Sequence, residues 1–289
     1  MTRAWSWFFS LVALATLAFL VGIFAWQSVP VWQHEGWNYL SGVKWFSRQK
    51  EFGALAMIYG SIVVSLVSLV LAAPLGMCAA IFTAEYLPKR ARLAVKVLIE
   101  LLAGVPSVVY GLLGILLLRD WIYELFARFE PLNGDTLLTA GVLLAVMVLP
   151  TIVTLSDDAL RAVPASQRRA ARALGLTRGE TILHIALPQA RRGLAAALLL
   201  GLGRALGETI AVFLIVGRQD NNLPEHWWSL GKLLESGQTL TSKLGSSETN
   251  IGYGDPLHWA AIVGLGLILL LLTGGLAVLG TGFGKRTDA

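Results

Sequence analysis

Six apolar blocks run along the chain, each close to the roughly 20 residues that a helix needs to cross a bilayer. They cover 5–26, 54–83, 97–118, 137–155, 193–217 and 259–281. This pattern predicts an all-α integral membrane protein with about six transmembrane helices. The second block is longer than a span requires, and Pro74 and Gly76 are expected to kink or end it before a surface turn at 85–88. The first block follows Arg3, as the core of a signal peptide would. It is longer than the roughly 7–15 apolar residues of such a core, and no small-x-small site precedes Gln27, so it reads as a retained helix.

Composition agrees. Of 289 residues, 55% are hydrophobic and 14% charged, where a soluble domain carries about a quarter charged. One water-soluble core cannot hide that much apolar surface, so lipid must solvate much of it. The single cysteine, Cys78, excludes an intramolecular disulfide and a cysteine-cluster metal site, and four scattered histidines lack zinc-type spacing.

The position of the charges orients the chain. With the N-terminus in the cytoplasm, the cytoplasmic segments receive 14 basic and five acidic residues, and the outer loops eight basic and 11 acidic. Both termini are therefore expected inside. The net charge of +5 is then a topological signal, aided by anionic lipid headgroups, and does not point to nucleic acid.

The longest cytoplasmic segment, 157–192, divides into two short helices. The first is expected to begin near Ser166, after Pro164, and to run to Leu174, where Gly175 supplies a left-handed residue. Thr177-Arg-Gly-Glu180 is a capping box that opens the second, which presents Ile182, Leu183, Ile185, Ala186 and Leu187 and is expected to stop at Pro188. Two capped helices are more structure than a connector needs, and a projecting short helix suits a groove on a partner protein.

Ala170-Ala171, Gly175 and Ile185-Ala186-Leu187-Pro188 resemble the "EAA…G…I.LP" loop of bacterial ABC importer permeases, with Arg169 where that family usually has glutamate. Three further stretches, 80–88, 99–111 and 203–212, are similar to the phosphate-specific transport permeases, the last more to PstC than to PstA. The resemblance implies a type I (MetI-like) permease fold over 52–282, after a first helix and outer loop at 1–51 and before a cytoplasmic tail at 283–289. It implies that Arg169, Ala170, Ala171, Gly175, Ile185, Leu187 and Pro188 shape a coupling helix that docks into a cytoplasmic ATPase. It also implies the partners: a second, PstA-like permease, two ATPase subunits and a periplasmic phosphate-binding protein, besides membrane lipid.

Two charges lie deep in the fifth block. Arg204 and Glu208 are four residues apart and are expected to share a helix face. An arginine at mid-membrane costs at least ~3 kcal/mol, so the pair must face protein or water. A planar guanidinium suits an oxyanion, and Glu208 would hold it in place. The family also needs charged residues in this segment, which the resemblance carries to Arg204 and Glu208. Thr209, Ser107 and Tyr110 are further candidates for a substrate pathway. Gly104, Pro106 and Gly111 are expected to interrupt the third helix, and Glu100 to pair with Lys96 or reach the surface.

Transport against a gradient needs an energy source, and no G-x-x-x-x-G-K-[ST] loop occurs in the chain. No cofactor is expected here; ATP and magnesium belong to the partner ATPase. Trp227 and Trp228 in the outer segment 218–258 suggest an interfacial anchor or a docking point for the binding protein. An enzyme reading finds Gly252-Tyr-Gly-Asp255, which matches the GxGD of intramembrane aspartyl proteases, but no second intramembrane aspartate. A secondary transporter would not need the long capped loop. An importer for sulfate, molybdate or another oxyanion is the nearest alternative, and oxyanion chemistry alone does not separate it from a phosphate importer.

Overall fold

Each apolar block becomes helix in the computed structural model, which describes residues 2–224 and 230–284. The first forms α1 (Thr2–Glu35). A one-turn α2 (Asn38–Ser41) and a hairpin of β1 (Trp45–Phe46) and β2 (Glu51–Phe52), with Trp45 opposite Phe52, cover one end of the bundle. The long helix α3 (Leu55–Ile81) runs on through a π-helical turn at Phe82–Tyr86. Next come α4 (Lys89–Ala103), α5 (Ser107–Leu113), a π turn at Gly114–Leu118, α6 (Arg119–Leu125) and α7 (Leu137–Arg161). Two short helices, α8 (Ala165–Ala173) and α9 (Arg178–Thr181), lead through a third π turn at Ile182–Ala186 into α10 (Leu187–Gly207). After α11 (Ile210–Ile215), the chain forms α12 (Leu240–Leu244) and α13 (Glu248–Gly252) and closes with α14 (Pro256–Gly284).

Among the described residues, four helices are long and apolar enough to cross a membrane: α1, α3 with its π turn, α7 and α14. The bent pair of α4 with α5–α6 brings the number to five when it is counted as one span. The expected sixth does not qualify on length and composition, because α10 carries Arg191, Arg192 and Arg204 and the chain leaves helix at Glu208. It packs among α3, α7 and α14 all the same.

Two expectations need correction here. Pro74 neither kinks α3 to a stop nor ends it; it lies inside an unbroken helix, as Pro150 does in α7. Buried neighbours and local adjustment make intramembrane proline tolerable. The third block is interrupted as expected, so 97–118 is not one helix. It breaks at 104–106, and α4 meets the following helix at 83°. Gly104 and Pro106 make this break, whereas Gly111 sits within α5 and serves packing: a Cβ there would lie 2.5 Å from Leu214 Cδ1. Trp227 and Trp228 lie outside the described residues.

Helices in lipid gain little from hydrophobic exclusion and associate through close packing of small residues. Gly76 and Gly201 both seat against Ile152, so α3 and α10 clasp α7 from two sides, and Gly141 of α7 seats against Val67 of α3. The central core follows, with Val64, Ala72, Leu144, Val148, Ile152, Ala205 and Ile215. A second core, at the end covered by the hairpin, joins Val31, Tyr39, Trp45, Phe52, Leu240 and Leu265. It settles the place of the first helix, whose far half packs along α14. Tyr39 is fully buried and donates its hydroxyl to the Ala261 carbonyl at 2.7 Å.

That hairpin-capped end contains a buried charge cluster. Lys243, 1% exposed, places its Nζ 2.7 Å from Asp220 and 2.6 Å from Glu248. Glu248 also accepts from the Trp45 indole at 2.9 Å and lies 3.3 Å from His258 Nε2. Burial pushes the Glu248 carboxyl up, but the bonds and charge of Lys243, with Trp45 and His258, more than reverse this and hold it below the ordinary range. For Asp220 burial wins over Lys243, and its carboxyl is raised. Asp255 of the GxGD-like stretch accepts from the Leu257 amide at 3.0 Å and caps α14, which is a structural role. Removing one partner of a buried pair costs about 3–5 kcal/mol. Lys243→Met is therefore expected to lower the thermal unfolding midpoint in detergent by several degrees, read from intrinsic tryptophan fluorescence.

Candidate functional site

The loop between α7 and α10 follows its sequence signals closely. Pro164 precedes α8, which begins one residue earlier than expected, at Ala165. Gly175 adopts φ +90°, and no atom lies within 4 Å of where its Cβ would be. Backbone conformation alone therefore demands glycine. The capping box is present: Thr177 Oγ1 accepts from the Glu180 amide, and Glu180 Oε2 accepts from the Thr177 amide at 2.8 Å. These bonds hold the Glu180 carboxyl below its ordinary range. Pro188 does not end the second helix, contrary to expectation. It stands in the first turn of α10, where the change from π to α register already interrupts the ladder and a missing N–H costs little.

One face of this loop is glued to the bundle and the other is open. Ala171, Ile182 and Ala186 are buried, and Ala186 joins a small core with Ala80, Leu160 and Val163. Ile185 and Leu187 are half-buried, while Arg169, Ala170, Gly175 and Pro188 are exposed. Leu174, at the tip, is 83% exposed. An apolar knob flanked by Arg169 and Arg172 thus projects from the bundle.

Side chains missed in the sequence tie the loop down. Arg168 reaches Glu85 at 2.8 Å, with both side chains largely buried, and donates to the carbonyls of Leu160 at 2.5 Å and Val163 at 3.2 Å. Arg178 donates to the Glu85 carbonyl and covers the Tyr86 ring at 4.7 Å. Arg92 donates to the carbonyls of Thr83 and Ala84, at 2.9 and 2.8 Å. Thr83 donates to Asp157, which Arg161 also meets. Lys96 pairs with Asp158 at 3.7 Å rather than with Glu100, which is left exposed. The sign of each arginine was legible; its partner, up to 93 residues away, was not.

The charges of the fifth block separate. The helix ends at Gly207, and Glu208 takes an extended conformation with ψ 121°. The expected shared face is lost, and no Arg204–Glu208 ion pair forms among the described residues. Glu208 instead turns to the amide of Ala211 at 3.4 Å, at the start of α11. Arg204 donates to Thr151 Oγ1 of α7 at 2.6 Å and is otherwise exposed on an open groove of about 390 Å³ between α10 and α14, which Gly203 and Gly274 also line. Tyr110 is buried and donates its hydroxyl to the Leu102 carbonyl at 2.8 Å. It therefore binds the two sides of the 104–106 break together rather than facing an open path. Ser107 begins α5 just beyond that break, and Thr209 lies in the 208–209 break, where both are half-buried. Because Gly111 seats against Ala211, the two interrupted helices are packed together.

Comparison with known proteins decides what kind of molecule has this loop. The family described as "Binding-protein-dependent transport system inner membrane component" matches residues 72–286. The chain belongs to that family. Among relatives of this permease, the phosphate transport system permease protein PstC of Mesorhizobium japonicum is 32% identical over 91% of this chain and 82% of its own length. The probable ABC transporter permease protein YqgH of Bacillus subtilis is 33% identical over the same shares. PstC 1 of Mycobacterium tuberculosis is 35% identical over 77% of this chain and 69% of its own. Two solved transporters share the fold. A bacterial alginate ABC transporter aligns at a TM-score of 0.62 over 99% of this chain and 96% of its own, at 14% identity. The MetNI methionine ABC transporter aligns at 0.54 over 78% and 93%, at 18% identity. The permease is a non-enzymatic membrane subunit, and ATP hydrolysis resides on a separate one.

Gly175→Val is expected to strain the loop by about 1–2 kcal/mol, since a β-branched residue resists positive φ. Faster tryptic cleavage at Arg172 and Arg178, with Gly179→Val unchanged as the control, is the readout.

Proposed function

We propose that this permease forms half of the pathway of an ATP-driven phosphate importer and couples it to a separate ATPase. The observation that carries the reading is Arg204, a planar cation at a helix break in the bundle, held by the Thr151 hydroxyl on one side and bordered by an open groove on the other. A guanidinium in that setting is disposed to meet an oxyanion, and the names of the PstC relatives make phosphate the oxyanion of choice. Thr151, which holds Arg204, joins the pathway set; Thr209 and Ser107 line the adjoining breaks. Tyr110 and Glu208 shape the path from behind, by closing those breaks.

The groove beside Arg204 is covered by a second, PstA-like permease, so that the path lies between the two subunits. The projecting α8, with Leu174 and Arg169 at its tip, docks into one of two ATPase subunits, where ATP and magnesium reside; this chain needs no cofactor of its own. The clustering of Lys89, Arg92, Arg161, Arg168, Arg169, Arg172 and Arg178 at the α8 end supports a cytoplasmic position for it, and hence for both termini. A periplasmic phosphate-binding protein delivers substrate to the hairpin-capped end.

Labelled phosphate uptake in cells lacking the gene, with and without it restored, tests the reading, with sulfate and molybdate as competitors. Uptake is expected to return only with the gene and to resist both competitors. Arg204→Ala is expected to abolish uptake while the assembled complex still purifies; Arg204→Lys, which loses the planar fork, should retain at most about a tenth of the rate. Wild-type uptake by Arg204→Ala would remove the pathway role.

A further inference from the structure

We propose that the buried Glu85–Arg168 ion pair is the mechanical link through which α8 moves α3, making both residues positioning residues for transport. This rests on the reading of the chain as an ATPase-coupled permease. The loop that carries α8 is joined covalently to α7 on one side and α10 on the other. Whatever displaces α8 therefore displaces the ends of those two helices directly. The long helix α3 has no such connection. Besides its packing on α7 and α10, it meets the loop through Ala80, which packs with Leu160, Val163 and Ala186, through Thr83 on Asp157, and through the charged side chains at its terminal π turn: the Glu85 carboxylate on Arg168 at 2.8 Å, the Glu85 carbonyl on Arg178, and Tyr86 beneath the Arg178 guanidinium.

The geometry favours transmission rather than mere contact. Arg168 is held from three directions, by Glu85 and by the Leu160 and Val163 carbonyls that bridge the end of α7 to α8. Its head therefore cannot move independently of the loop. The backbone of the Glu85 turn is fixed too, because Arg92 grips the carbonyls of Thr83 and Ala84, while the buried Glu85 Oε1 meets Arg168 as a charge contact without a formed hydrogen bond. With side chains only 14% and 10% exposed, the pair is weakly screened by salt, and stretching it leaves a charge without its partner. At the far end of α3, Gly60 lies against the Gln238 carbonyl, and Ser61 accepts from the Leu240 amide at 2.8 Å. One rigid helix thus connects the Glu85 anchor to the segment that covers the opposite end of the bundle.

The test uses the complete complex reconstituted in lipid vesicles, comparing wild type, Glu85→Gln, Arg168→Gln and the double variant. Each single variant is expected to lower uptake per ATP hydrolysed at least about fivefold. The double variant should be no worse than either single, since one link is broken in all three. Additive losses, or unchanged uptake per assembled complex, would overturn the proposal. A second readout needs no substrate. Spin labels on the native Cys78 of α3, which is exposed, and on Gln167→Cys of α8 report their separation without nucleotide and with vanadate-trapped nucleotide. The separation should stay constant in wild type and change with nucleotide in Glu85→Gln. A change of equal size in wild type would overturn the link. Failure of the wild-type complex to import phosphate would count against the substrate alone, and the label distances would still decide the link.

Discussion

A bilayer core offers no hydrogen-bond partner to an open helix, so each interruption of a span needs one from within the chain. This constraint organises the permease. The helix broken at 104–106 is closed by the Tyr110 hydroxyl on the Leu102 carbonyl. The one broken at 208–209 turns its own glutamate onto the amide of Ala211. The two breaks are then packed against each other through Gly111 and Ala211. Without these closures, neither interruption could sit inside the bundle, and Arg204 would have no irregular, polar neighbourhood to occupy.

The same economy explains the loop at the basic end. A segment that must engage another protein presents Leu174 and two arginines outward, and everything behind it is fixed. Alanines seat in a small core, a glycine sets the turn, and arginines reach back to carbonyls at the ends of α3 and α7. Among the described residues, three π-helical turns lie at the end of α3, at the entry to α10 and between α5 and α6. Each adds one residue to the helix register, which re-aims the side chains that follow.

Much of this was legible in the sequence. The Thr177 and Glu180 capping box, the glycine turn and the apolar blocks rest on local patterns, and local patterns survive into the fold. What failed was the assumed continuity of the fifth block and the reading of proline as a stop. Arg204 and Glu208 are four apart, but an extended residue between helices cancels the periodicity that would align them. Pro188 and Pro74 signal a stop in water, yet neither stops a helix here. The Glu85–Arg168 pair was out of reach for a different reason: both residues were visible, but nothing in a single sequence says which of many arginines will find which carboxylate 83 positions away.

The cluster at the hairpin-capped end has a consequence for how distant parts of the chain are held together. Glu248 draws together Trp45 from the beginning of the chain, Lys243 from the long penultimate segment and His258 from the first turn of the last helix. The set is incomplete without the first turn of that helix. A single carboxylate thus ties the two ends of the described fold to each other at one surface.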